Sequence, residues 1–267
     1  MKTARMEAPD GSDEPVAPLF GIHAVTEALR AGSRSFVKIL LSHRHRQFSQ
    51  IIRFARIQGI PIQVHPREQL HRLVPSGKHQ GVVGVVAARS YASEEAVLTH
   101  AAQQPDPAFF LALDGVEDPQ NFGAILRTAD LAGIHGVFVP DRRSVGLTAS
   151  VARASAGAVE HVRVARCTNL GRLLERLQDR EVTAVAVDPR ARQLYTDLDL
   201  RGPTVLVFGG EGRGLRAGIL EKCHAQARIP IRGQLASLNV SASVAVVAYE
   251  VVRQRMEGTN AGAVKCE

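Results

Sequence analysis

Three short segments of this 267-residue chain hold side chains able to do chemistry. The first runs Leu113-Asp-Gly-Val-Glu-Asp-Pro-Gln-Asn121-Phe-Gly-Ala-Ile-Leu-Arg127-Thr-Ala129. A strand enters a turn there, and Asn121 can cap the helix that follows. Arg127 falls in that helix's second turn among small and apolar neighbours. A guanidinium in such a place calls for an anion, either a ligand's phosphate or carboxylate or a nearby Asp118 or Asp130. The second segment, Val205-Leu-Val-Phe-Gly209-Gly210-Glu211-Gly-Arg-Gly-Leu215, opens an apolar strand into a loop with four glycines in six residues. Such a loop lets backbone approach a ligand closely. It matches neither G-x-G-x-x-G nor a triphosphate loop, so its alternatives are a ligand loop carrying Glu211 or a simple tight turn. The third begins at Ile229-Pro-Ile-Arg-Gly and continues as Ala236-Ser237-Leu238-Asn239-Val240-Ser-Ala-Ser243. Ser237 and Asn239 suit the N-terminus of a long helix rich in Ala, Val and Ser.

Taken together, these residues offer glycine-lined backbone, one arginine, one glutamate, and hydroxyl and amide groups. They contain no metal-ligand spacing, no Ser-His-Asp arrangement and no carboxylate pair. Such a set suits a cofactor that brings its own reactive group. The elements around them alternate. Strands are predicted at Ala108–Leu113, Gly136–Val139, His161–Val164, Thr183–Val187, Thr204–Phe208 and Ala227–Ile229. Helices are predicted at Phe122–Ala132, Thr148–Ala156, Leu170–Gln178, Arg216–Cys223 and Val240–Met256. This alternation predicts an α/β fold with a mostly parallel sheet covered on both faces. All three segments then follow strands of one sheet, where ligands bind in such folds.

The front of the chain differs. Strands at 36–41, 61–65 and 81–88, with helices at Ser49–Gln58 and Pro66–Leu73, predict a small α/β domain over residues 18–90. Residues 91–107 read as a linker with a helix at Glu94–Gln103. Residues 1–17 read as a disordered tail, 108–257 as the main domain and 258–267 as a C-terminal tail. Charge follows the same division. Residues 1–18 hold two Lys/Arg against four Asp/Glu, residues 19–90 eleven against two, and residues 91–267 twenty of each. The whole excess behind the net +7, and six of ten histidines, therefore sit in the front domain. A basic module on a neutral one is the footprint of nucleic-acid docking. It lacks the aromatic anchors of a membrane-surface helix. Three widely spaced cysteines suit neither a disulfide framework nor a metal site and point to a cytoplasmic protein. No segment has the apolar length of a membrane span.

The three segments resemble the signature motifs of the SpoU–TrmH branch of the SPOUT methyltransferases, as NFGAILRTA, FGGEGRGL and IPIRGQLASLNVSASVAVVAYE. The front domain, opening PLFGIHAVTEAL and closing HQGVVGVV, resembles the L30e-like substrate-binding module of the subgroup that methylates ribosomal RNA. The resemblance implies a deep trefoil knot, a homodimer formed through the first motif and the last helix, and S-adenosylmethionine as cofactor. It places cofactor contacts at Gly209, Gly210, Ile229 and Leu238, and functional positions at Asn121, Arg127, Glu211, Ser237 and Asn239. Gly210 stands where such proteins often carry Ala. The implied reaction is methyl transfer to a ribose 2'-hydroxyl, with a guanosine of 23S rRNA as the expected target. Its alternatives are a tRNA ribose, another rRNA site of the antibiotic-resistance type, or a non-catalytic RNA-binding protein. Because a guanidinium resists deprotonation, Arg127 is expected to contact the target phosphate and stabilise the developing alkoxide. A phosphate oxygen or water takes the proton. Glu211 is expected to orient Arg127 or its neighbours, and Asn121, Ser237 and Asn239 to orient the ribose and loops. RNA is the partner, with no metal and no membrane.

Overall fold

The alternation read from the sequence is realised as two sheets. The structure, a computed structural model, describes residues 16–74 and 77–263. Its strands are β1 (Val16–Phe20), β2 (Phe36–Leu41), β3 (Ile62–Val64), β4 (Val82–Ala87), β5 (Phe109–Asp114), β6 (Gly136–Pro140), β7 (Val164–Cys167), β8 (Thr183–Val187), β9 (Gln193–Leu194), β10 (Thr204–Gly209) and β11 (Ala225–Arg228). Its helices are α1 (Ile22–Ala31), α2 (Ser49–Ile57), α3 (Arg67–Leu73), α4 (Glu94–Ala102), α5 (Pro119–Leu131), α6 (Ala149–Ala154), α7 (Leu170–Gln178), α8 (Ala217–Leu220) and α9 (Val240–Ala263).

The first unit comprises the chain up to Ser90 together with Gly146–His161. Its four-stranded sheet has the order β1-β4-β2-β3, with only the β2–β3 pair parallel. Val16 and Ala17, expected in the N-terminal tail, lie in β1 and pair with β4. Residues 1–15 of that tail lie outside the described residues. Residues 146–161, expected in the main domain, instead pack on β1 and α1. The reason is apolar: Val151, Ala152, Ala158 and Val159 are buried there. Glu160 is buried too, with its carboxylate 2.7 Å from the Arg34 guanidinium and accepting from Ser33 Oγ at 2.5 Å.

The second unit holds Tyr91–Val145 and the chain from Val162 onward. Its sheet has the order β7-β6-β5-β10-β8-β11-β9 and is parallel throughout. Alternate residues point to opposite faces. Phe110, Ala112, Phe138, Ala165, Ala184 and Val205 meet the buried sides of α4, α7 and α8 on one face. α5 and α9 pack against each other, with α9 on β10 and α5 on β6. The expected linker is part of this unit, since Ala92 bridges Ala165 and α4 buries Val97, Leu98 and Ala101 against β6 and β7. The expected C-terminal tail is helical as far as Ala263. The predicted strands near 161 and 227 shift to β7 and β11, because residues 158–160 turn as a 3₁₀ helix and Arg228 ends its strand.

Candidate functional site

The sheet brings the carboxyl ends of β5 and β10 side by side, and the three segments start from these strands and from β11. Asp118, not Asn121, caps α5, accepting from Gln120 N at 3.1 Å and Asn121 N at 3.4 Å with Pro119 in the first turn. That moves Asn121 inside the first turn, where it is buried. Its side chain is thereby free to leave the helix. Asn121 Nδ2 donates to Glu211 Oε1 at 2.6 Å, and Asn239 Nδ2 donates to Asn121 Oδ1 at 2.9 Å and to Glu211 Oε1 at 3.0 Å. One residue from each segment therefore closes a ring of side-chain hydrogen bonds. Asn239 Oδ1 in turn accepts from Ser241 N at 2.9 Å and Ser241 Oγ at 2.6 Å, which caps α9. Capping and network membership coincide in one amide, because its oxygen and nitrogen face different partners.

The glycine loop is built by close approach of backbone to backbone. A Cβ on Gly209 would stand 2.2 Å from the carbonyl carbon of Gly214, and one on Gly210 would stand 1.8 Å from the carbonyl oxygen of Gly115. In this chain Gly210 meets the first loop itself, so its glycine serves loop contact as well as any ligand. Gly210 N donates to Asp114 O at 2.8 Å, extending the sheet into the loop.

A cavity of about 540 Å³ lies over these strand ends. Gly209, Gly210, Glu211, Ile229, Ser237, Leu238 and Asn239 all line it, with Phe208, Ile231 and Val240 as further apolar wall. Its size is that of a small-molecule site. Two charged lining residues lie outside the three segments, Asp188 and Arg190. Asp188, buried at the end of β8, accepts from Arg190 Nε at 2.9 Å and Nη2 at 2.8 Å. The hydrogen bond from Arg190 holds this carboxyl below its ordinary range. Asp114 at the end of β5 is paired in the same way with Arg216, at 2.8 and 2.7 Å. The signal in the sequence is an acidic residue at the carboxyl end of both apolar strands, β5 and β8.

Asn121 lines a second cavity of about 470 Å³, which shares Gly210, Glu211, Arg213, Gly214 and Val240 with the first. Arg127 lines neither of these two cavities. It is exposed on α5, and among the described residues it pairs with neither Asp118 nor Asp130. Glu211 bonds the two asparagines and not Arg127. The reason is directional, since Arg127 sits on the solvent side of α5 while Asn121 faces the glycine loop. Among the described residues no cluster of His, Cys, Asp or Glu could hold a metal ion, and no helix is long and apolar enough to cross a membrane. Cys167 and Cys223 are free thiols whose burial pushes both up to about 12.

The chain is similar to known proteins in sequence and in fold. Residues 108–249 match the SpoU rRNA Methylase family, and residues 18–92 match the family described as RNA 2'-O ribose methyltransferase substrate binding. YacO of Bacillus subtilis (strain 168), assigned by its name to the TrmH family of tRNA/rRNA methyltransferases, is 42% identical over 239 residues, which is 89% of this chain and 95% of that protein. A crystal structure of an RNA 2'-O ribose methyltransferase is similar with a TM-score of 0.75 and 30% identity, covering 90% of this chain and 88% of that one. An AdoMet-bound rRNA methyltransferase from Sinorhizobium meliloti is similar with a TM-score of 0.73 and 26% identity, over 89% and 87% of the two chains. The cavity at the strand ends, ringed by the three motifs, thus belongs to a known kind of enzyme: this chain is a member of the SpoU rRNA methylase family, the SpoU/TrmH RNA 2'-O-methyltransferases.

Proposed function

We propose that the 540 Å³ cavity holds S-adenosylmethionine and that the enzyme methylates a ribose 2'-hydroxyl of ribosomal RNA, a guanosine of 23S rRNA being the expected target. The observation that carries the reading is the ring formed by Asn121, Glu211 and Asn239, which ties all three motifs around that cavity. The lining fits the cofactor. Phe208, Ile229, Ile231 and Leu238 offer apolar surface for an adenine, and the Gly209–Gly214 backbone offers polar groups with little side chain in the way. When bound, the cofactor supplies an electrophilic methyl on a sulfonium. The chain's part is to align the ribose oxygen, exclude water and direct one proton away, to a phosphate oxygen or water. Gly209, Gly210, Ile229 and Leu238 are assigned to the cofactor, and Asn121, Glu211, Ser237 and Asn239 to holding the loops and ribose. The family's knot belongs to this reading, with the Gly209–Leu215 loop and residues 229–239 as its crossing segments.

Homodimerisation is the second part of the proposal. Val246, Tyr249 and Met256 of α9 and Leu131 of α5 are exposed apolar side chains, between 38% and 65% accessible. Arg127 lies one helical turn before Leu131, on the same face of α5. A second copy covering these helices would enclose Arg127 and give it an anionic partner. The front unit docks RNA through Arg44, Arg46, Arg53 and Arg56, which line one groove without a carboxylate. Calorimetry with S-adenosylmethionine, beside tritium-methyl transfer to rRNA, tests the whole. Arg127→Ala is expected to abolish transfer and leave cofactor affinity within about twofold. Failure of the wild-type protein to bind the cofactor, or near wild-type turnover by Arg127→Ala, overturns it. Mapping ribose methyls with and without the enzyme separates 23S rRNA from tRNA.

A further inference from the structure

The second cavity, beside the cofactor site, carries Asn121 and Glu211 on one side, but its arginines have no role in anything stated so far. It is bounded by the loop after β5, by the start of α5 and by Arg143, Arg213 and Arg216. It shares five lining residues with the first cavity, so a group seated in it lies within reach of anything held there. A methyl acceptor must sit in such a place, because attack needs the reacting atoms about 3–3.5 Å apart.

Its charges sort themselves by partner. Arg216 is committed to Asp114, Asp118 caps α5, and Glu211 holds the two asparagines. That leaves the guanidiniums of Arg143 and Arg213 with Glu117 as the one uncommitted carboxylate. Neither arginine forms an ion pair among the described residues. Arg143 has a second peculiarity. It is a non-glycine residue at φ 62°, in the left-handed region that side chains disfavour. The loop enforces this from both sides, with Ser144 Oγ donating to Pro140 O at 2.6 Å and Val145 N donating to Val116 O at 3.2 Å. Strained backbone of this kind is kept where a side chain's position matters. Here it carries a guanidinium to the rim of the cavity.

We infer that this cavity seats the target nucleotide and that Arg143, with Arg213, takes the phosphate diester beside the reacting ribose. Two planar donors suit the two free oxygens of a phosphodiester. The inference rests on the cofactor reading of the first cavity, and its tests are chosen to fail separately from that reading. Arg143 is then a positioning residue for RNA, not a cofactor ligand.

The first experiment uses the intact protein. Arginines are modified with phenylglyoxal and mapped by mass spectrometry, alone, with S-adenosylmethionine, and with a saturating single-stranded RNA oligonucleotide. RNA is expected to protect Arg143 at least fivefold and the cofactor to leave it unchanged. Equal modification with and without RNA overturns the inference. Protection by the cofactor alone does so too, because the cavity would then belong to the cofactor. The second experiment uses Arg143→Gly, which accepts the left-handed backbone. Relief of strain should raise Tm by about 2–4 °C. The salt dependence of RNA affinity should flatten by about 0.7–0.9 in the log–log slope, the loss of one phosphate contact. Calorimetric cofactor affinity should stay within twofold. A stabilised Arg143→Gly with unchanged RNA affinity and slope would show that the guanidinium has no part in binding.

Discussion

The ring of Asn121, Glu211 and Asn239 makes a sharp prediction for Asn121→Asp. The substitution keeps size and shape but turns the amide nitrogen, 2.6 Å from Glu211 Oε1, into a second carboxylate oxygen. Two effects add. A hydrogen bond to a charged acceptor contributes about 1.5–3 kcal/mol, and that is lost. Like charges then face each other a few ångströms apart. The pair lies between buried Asn121 and exposed Glu211, so an effective dielectric between those of surface and bulk water applies, which makes the repulsion about 1–4 kcal/mol. Asn121→Ala adds no charge but removes two ring bonds, this one and the one accepted from Asn239 Nδ2 at 2.9 Å, which the Asp variant keeps. Relative to the Ala variant, the Asp variant should therefore lose at least about 1 kcal/mol, or some 2–4 °C in Tm for a unit of this size, between pH 4 and pH 7.5. It should also bind S-adenosylmethionine more weakly, because the second and third motifs lose a common anchor. Thermal unfolding from pH 8 to pH 4 tests the electrostatic half. The Asp variant should gain on the Ala variant in acid, as one carboxylate takes up a proton. A difference between the two that does not move with pH refutes the reasoning.

Three further outcomes are expected. Gly209→Ala puts a methyl 2.2 Å from the Gly214 carbonyl carbon and 2.4 Å from Leu215 N, so the loop must shift; calorimetry should show cofactor affinity falling at least about tenfold. Asp188 is held below its ordinary value by the Arg190 hydrogen bond, so its stabilising contribution is present above the unfolded value near 3.8 and lost as pH falls through the lower folded value. The urea midpoints of wild type and Asp188→Asn should thus differ by a constant, modest amount from pH 8 to 5 and converge only below about 4. Arg34→Ala leaves Glu160 buried without its guanidinium and should cost about 3–5 kcal/mol in urea unfolding, while Arg34→Met combined with Glu160→Leu should recover most of it.

What could be read from the residues alone depended on how locally the information was written. The three motif loops were legible because each follows an apolar run and packs its glycines, amides and charges within a dozen residues. Their convergence was legible too, since all strands of a parallel sheet present the loops at their carboxyl ends on one edge. The partners inside the site were not. Asn121 looks like a cap until Asp118 is seen to take that place three residues earlier, which frees the amide to reach Glu211 ninety residues away. Glu211, expected to orient Arg127 or its neighbours, holds Asn121 of the same helix, while the solvent side of α5 carries Arg127 elsewhere. β1 was hidden because Val16–Phe20 is an edge strand interrupted by Pro18, a pattern that reads as irregular chain.

The largest departure from the sequence reading concerns residues 146–161. Their helical spacing is plain in the sequence, but spacing says nothing about which sheet a helix will cover. α6 is short and owes its place to what surrounds it: β1 and α1 bury its apolar side, and Arg34 and Ser33 satisfy Glu160. The chain thus leaves the methyltransferase sheet after β6, contributes a helix to the basic unit and returns for β7. A consequence follows for dissecting the enzyme. Removing residues 1–90 to isolate a catalytic domain would expose Val151, Ala152 and Val159 and strip Glu160 of its partners, so loss of rRNA methylation by that fragment would report misfolding as readily as lost docking. Charge reversal of Arg53 and Arg56 in the intact chain separates the two. Both are exposed side chains in the carboxylate-free groove, so Tm should hold within about 2 °C. The log–log salt slope of RNA affinity should flatten by at least the two phosphate contacts removed. If RNA affinity and slope are unchanged, the excess charge of residues 19–90 does its work on another surface.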